Sequence, residues 1–170
     1  MSRLLWFVLG IIVAIAVLLL GGYVFLLSGG VSMQTTASPL PLERTMARMA
    51  LHASYGHAAQ EKSPIPFDEM NLVQAANTYK TDCAVCHGLP SGSRTKIARG
   101  MFPDPPQLLQ EDMVTDDPEG ITYWKVTHGI RLSGMPGFRS TLSDAQRWQV
   151  TLLVAHADKL SPAVLAALRQ

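Results

Sequence analysis

Cys83-Ala84-Val85-Cys86-His87 holds the side chains of this sequence best suited to chemistry. Two thiols three positions apart on one helical turn point the same way. Both can then add to the vinyl groups along one porphyrin edge, and Cys-x-x-Cys-His is the attachment pattern of a c-type haem. The next residue, His87, falls under the ring and can offer an imidazole nitrogen to the iron. A second ligand is expected from Gly134-Met135-Pro136, in a glycine-rich stretch downstream. There Gly134 and Gly137 allow tight backbone and Pro136 stiffens it. A soft thioether favours Fe(II), so a His/Met pair raises the reduction potential. Met101 and Met113 also follow the motif, but neither has the Gly-Met-Pro setting. The expected cofactor is therefore one covalent haem c, bound by Cys83 and Cys86, with His87 and Met135 as iron ligands and no catalytic residue.

Other uses of the two cysteines fit less well. A Cys-x-x-Cys disulfide closes a small strained loop and stabilises little chain. A zinc site needs four ligands, and no further cysteine exists, so His87 and a distant His or carboxylate would have to complete it. A thioredoxin-like pair lacks flanking strand patterns. Trp124 and Trp148 read as core aromatics, with Trp124 also able to cover a haem edge. Arg94, Lys96, Arg99, Arg131 and Arg139 read as surface cations within reach of propionates or a partner. His128 and His156 read as helix-face residues, and His52 and His57 are set aside as distal ligands. No serine–histidine–acid or paired-carboxylate arrangement suggests hydrolysis. The formal charge of +1 excludes a nucleic-acid footprint. From residue 67 onward ten Lys/Arg face eleven Asp/Glu, so any docking charge must be local.

The elements that position these residues are helical. Residues 4–27 carry no charge. As a helix they measure about 36 Å, enough to cross a bilayer core of about 30 Å. The positive-inside tendency leaves Arg3 and residues 1–3 in the cytoplasm and the remainder outside. A cleaved signal peptide usually has an apolar region of only about 7–15 residues, so an uncleaved single-pass anchor in a cytoplasmic membrane is expected. No cysteine near residue 30 allows a lipoprotein anchor. Residues 28–66 join anchor to domain. Within them, 42–55 reads as a short amphipathic helix with Leu42, Met46, Met49 and Ala53 on one stripe. It could lie on the membrane, pack on the domain or meet a partner. Pro64 and Pro66 block helix before the domain at 67–170. That domain is expected to hold a helix over 71–82 capped by Asn71, a helix over 118–128 stopped by Gly129, and a helix over 143–160. The last opens on the Ser143/Gln146 capping box and presents Trp148, Leu152 and Ala155 on one face. A short tail helix starts at Pro162. No segment reads as a strand.

Residues 67–160 resemble a class I, single-haem cytochrome c domain of the membrane-anchored bacterial type. The resemblance rests on Cys83-Ala84-Val85-Cys86-His87-Gly88, on Met101-Phe102-Pro103-Asp104-Pro105-Pro106, and on Gly134-Met135-Pro136, in that order. It implies an all-α fold in which the Leu72/Tyr79 helix crosses the Trp148/Ala155 helix. It also implies a proline carbonyl, from Pro103, Pro105 or Pro106, holding the His87 ring. The function implied is single-electron transfer between respiratory partners rather than enzyme catalysis. A quinol-oxidising complex or periplasmic dehydrogenase would be the donor, and a terminal oxidase or another cytochrome the acceptor. No small-molecule substrate is expected. The protein would act as a tethered shuttle, over a linker of about 36 residues spanning about 35 Å, or as a complex subunit. A haem with a labile Met135 that reduces peroxide or senses a gas, and a structural subunit of an oxidoreductase complex, are the rival readings.

Overall fold

A computed structural model describes residues 2–90, 92–110 and 117–169. It divides into two compact units, Met1–Pro41 and Leu42–Gln170.

The first unit is a single long helix, α1 (Arg3–Leu27), followed by irregular chain. It buries none of its side chains. Its length and composition suffice to cross a membrane. Ser28 ends it: the Ser28 hydroxyl donates to the Phe25 carbonyl, and Gly29 turns the chain with φ of 78°.

The second unit begins at Leu42 and includes the short helix expected within residues 42–55. Its first helix is α2 (Glu43–Ser54), and its apolar stripe does not pack on the domain. Leu42, Met46 and Met49 face outward, at 70, 66 and 68 % exposure. The chain just past the helix holds the unit instead: Tyr55 is buried and meets the Trp124 ring edge-on at 5.5 Å. A 3₁₀ turn, Ala58–Gln60, then packs on the amino end of a later helix.

Helix α3 (Glu69–Asp82) starts two residues earlier than expected. Its cap is Asp68, whose carboxylate accepts the Asn71 N–H at 2.8 Å. Asn71 is thus freed from capping, and its side chain donates to the Pro66 carbonyl and accepts from Gln149 Nε2 at 3.0 Å. A one-turn helix, α4 (Ala84–His87), follows directly. Helix α5 (Glu119–His128) ends at Gly129, with φ of 70°.

Helix α6 (Asp144–Ala155) opens on the expected capping box, Ser143 and Gln146 satisfying each other's backbone N–H groups. It stops at Ala155, and a 3₁₀ turn, Ala157–Lys159, occupies the positions expected to continue it. The expected single apolar face is also corrected: every residue from Arg147 to Val154 is buried. The reason is its central place. α3 and α5 pack on α6, and α7 (Pro162–Arg169) closes over α3 with Val164 and Leu168 in the core. A helix packed on several sides buries polar side chains too, and here they are hydrogen-bonded: Gln149 donates to Gln74 at 2.6 Å and the Thr151 hydroxyl to the Arg147 carbonyl at 2.9 Å. Ala75 and Ala76 on α3 are wholly buried within the same core as Val150, Leu153 and Val154. Their small side chains let helices approach closely. Among the described residues there is no strand, only an isolated bridge between Ile130 and Met135.

Candidate functional site

The motif is positioned from α3. Tyr79 is completely buried, and its hydroxyl donates to the Gly88 carbonyl at 3.0 Å, tying the helix to the residue after His87. Burial, with a smaller push from Cys83, raises the Tyr79 pKa above the ordinary phenol value, so the donating proton stays in place. From the other side, the Thr95 hydroxyl donates to the Val85 carbonyl at 2.7 Å. α4 thus holds Cys86 and His87 on one turn, with Cys83 just before it.

The His87 ring is fixed by one bond. Its Nδ1 lies 2.7 Å from the Pro106 carbonyl. A carbonyl only accepts, so Nδ1 carries the proton and Nε2 is left with a free lone pair. Among the three candidate prolines, Pro106 holds this ring. Burial lowers the His87 pKa, and the Pro106 bond offsets part of that shift. Both effects suit a metal ligand, which must be neutral imidazole in one tautomer.

The two cysteines are not bonded to each other. Burial first, then the negative charges of Asp82 and Cys86, push the Cys83 thiol up to about 12. A protonated thiol of this kind is a poor disulfide-exchange nucleophile. Among the described residues, no cluster of three or more His, Cys, Asp or Glu could hold a metal ion, so the zinc reading finds no further ligands.

Met135 comes to the same cleft from the loop after α5. The loop is a small closed structure. Ile130 N–H donates to the Met135 carbonyl at 3.1 Å, and Met135 N–H donates to the Ser133 hydroxyl at 3.2 Å. That hydroxyl in turn donates to the Ile130 carbonyl at 2.7 Å. Its base is glycine on both sides. A Cβ on Gly129 would sit 2.6 Å from the Gly137 nitrogen, and one on Gly137 would sit 2.7 Å from the His128 carbonyl carbon. Gly129 is therefore more than a helix stop: it lets the loop close.

One positioning residue was not singled out in the sequence. The buried Arg147 guanidinium donates to the Leu142 carbonyl at 2.8 Å, the Arg139 carbonyl at 3.3 Å, the Tyr123 hydroxyl at 3.3 Å and Asp144 at 2.9 Å. The Tyr123 bond, above all, raises its pKa further. It ties the chain leaving the Met135 loop to α6, while Phe138 and Arg139 N–H groups donate to Val126 and Thr127 of α5. The visible signal was Asp144 three residues before Arg147 on one helix.

Other candidates lie apart from the cleft. Trp148 is core, stacked on Tyr123 at 4.0 Å, and Trp124 is half-buried between Tyr55 and His128. Arg94 pairs with Asp104 at 3.3 Å, and its buried Nη2 has no partner among the described residues. Lys96, Arg99, Arg131 and Arg139 are exposed. His156 meets Glu119 at 3.3 Å, His128 Nδ1 lies 3.0 Å from the Trp124 carbonyl, and His52 and His57 are exposed. Met101 also lines the cleft, whereas Met113 lies outside the described residues.

Two unbonded thiols, an imidazole of one tautomer and a thioether share a cleft walled by Val126, Phe138, Val150 and Val154. That donor set, soft sulfur and nitrogen in an apolar slot, fits a haem. A family model described as "Cytochrome C oxidase, cbb3-type, subunit III" matches residues 71–153. No curated protein matches the chain. The matched segment contains the motif, the Met135 loop and most of α6, so the chain carries a c-type cytochrome domain, a type that implies haem c binding and suggests electron transfer, preceded by an apolar helix.

Proposed function

We propose that this protein is a single-haem, membrane-anchored electron carrier, with the haem held covalently by Cys83 and Cys86 and the iron ligated by His87 and Met135. The observation that carries the reading is the shared cleft of those four side chains. Bound haem c supplies a one-electron iron couple. The chain's own residues set its conditions. Neutral His87 is locked by the Pro106 carbonyl and donates through Nε2. Met135 is presented by a loop closed on itself, so its thioether needs little reorganisation as charge changes. Apolar walls exclude water, which favours the less charged, reduced state.

α1 is the anchor, with the haem domain on the outer side of a bacterial cytoplasmic membrane. The partners are proteins: a quinol-oxidising complex or dehydrogenase as donor, a terminal oxidase or second cytochrome as acceptor. The chain between α1 and α2 is 15 residues, 28–42, shorter than the expected linker. This favours transfer to close neighbours or a place within a complex.

Optical spectra of the purified protein, oxidised and reduced, with carbon monoxide added to the reduced form, test the reading. A c-type spectrum resistant to haem extraction, a far-red iron–methionine band and no response to carbon monoxide are expected. Carbon monoxide binding to the reduced protein would replace it with a peroxide-reducing or gas-sensing centre.

A further inference from the structure

Helix α2 has two faces with different fates. On one, Leu51 and the following Tyr55 turn inward, and the Arg44 guanidinium lies over the Phe102 ring at 5.1 Å. On the other, Leu42, Met46 and Met49 are 70, 66 and 68 % exposed. Their 4–3 spacing, continued by exposed Ala53, makes one stripe along the helix. Contiguous large apolar side chains in water mark an interaction surface.

Chain connectivity names what covers it. α1 ends at Leu27 and α2 begins at Glu43, leaving residues 28–42 between them. Fifteen flexible residues span about 21 Å on average and about 50 Å at full extension. With α1 in a bilayer, α2 never leaves the neighbourhood of the lipid surface. The charge is not opposed: between residues 28 and 60 the only acid is Glu43, against Arg48 and Arg44, the latter reaching inward over Phe102. A cationic amphipathic helix suits anionic headgroups, and flexible methionines suit disordered acyl chains.

We infer that α2 lies in the membrane interface, with Leu42, Met46 and Met49 at the headgroup–acyl boundary of an anionic bilayer. The inference rests on the anchor role of α1 proposed above. Its consequence is orientation. α2 lines a groove with Ile130, Arg131 and Leu132 of the Met135 loop, so lipid contact through α2 sets which side of the haem domain faces the membrane.

The full-length haem protein in phosphatidylcholine–phosphatidylglycerol nanodiscs, with a photoactivatable diazirine on the acyl chains, tests this. Mass spectrometry of the lipid adducts should find them on the Met46/Met49 peptide as well as on α1. The double variant Met46→Glu/Met49→Glu should lower the α2 adducts on the order of tenfold, leaving the α1 adducts and haem spectrum unchanged. Adducts on α1, with α2 at the level of buried α6, would overturn the inference and leave the anchor standing. Dimers crosslinked through α2 without lipid adducts would overturn it in favour of a second copy. Lack of adducts on α1 as well would remove both the anchor and the inference.

Discussion

Met135 and Met101 both line the cleft, and only their settings distinguish them. Met135 is held by the Ile130 bridge and the Ser133 hydroxyl, whereas Met101 follows a 3₁₀ turn, Ala98–Gly100. Met135→Ala should therefore remove the far-red band, open the iron to carbon monoxide and lower the reduction potential, while Met101→Leu leaves all three intact. Spectra and a redox titration of both variants check this, and the opposite pattern would exchange the ligands. Cys83 supplies a pH test for chain with free thiols. Its pKa is raised, so the folded state keeps a proton that the unfolded state loses. Stability is then full below about pH 9 and falls as pH climbs toward 12. Denaturant melts of haem-free protein should show that loss, and Cys83→Ala should lessen it between pH 9 and 10, below the range where the raised Tyr79 phenol adds its own loss. The Cys-x-x-Cys-His spacing and the Gly-Met-Pro setting stood out in the sequence because the chemistry expected of them needs particular residue types at short spacing. Pro106 was not separable from Pro103 and Pro105, because a carbonyl's aim depends on how the whole loop folds back over 19 residues.

Helix boundaries followed local chemistry where a cap was strong and failed where two caps competed. Ser143 with Gln146 read correctly. Asp68 displaced Asn71 because a carboxylate at the amino end also answers the helix dipole. α6 misled in a different way: a stripe of Trp148, Leu152 and Ala155 is present, but burial extends beyond it to Val150, Leu153 and Val154 and to the polar Arg147, Gln149 and Thr151. The amino end of α5 carries a close approach that no local pattern shows. A Cβ on Gly120 would fall 1.9 Å from the Ala58 carbonyl oxygen, in the turn that follows α2. Gly120→Ala should cost about 1–3 kcal/mol or more, as overpacking against backbone does. A thermal melt followed at the haem band measures it. An unchanged melt would mean that the 58–60 turn yields freely.

Between the two compact units, the expected division of labour is physical. The helix of the first buries no side chain, while the second carries the core and the cleft. Deleting residues 2–41 should release the haem domain from α1 while leaving its absorption spectrum unchanged. Membrane fractionation after the deletion checks both, and a lost haem spectrum would tie the first unit to the fold of the second. If α2 binds lipid as inferred, the truncated protein should keep a weak, salt-sensitive affinity for anionic vesicles. Apolar runs, thiol spacing and capping residues are short-range properties, and they were enough to announce a long apolar helix, a Cys-x-x-Cys-His motif at the end of a helix and the helices that follow. What covers α6 on every side, which proline carbonyl meets His87, how Arg147 gathers the end of the Met135 loop, and which face of α2 turns outward were settled only by packing. Each depends on contacts between residues far apart in the chain, where burial of the shared core outweighs the preference of any single segment.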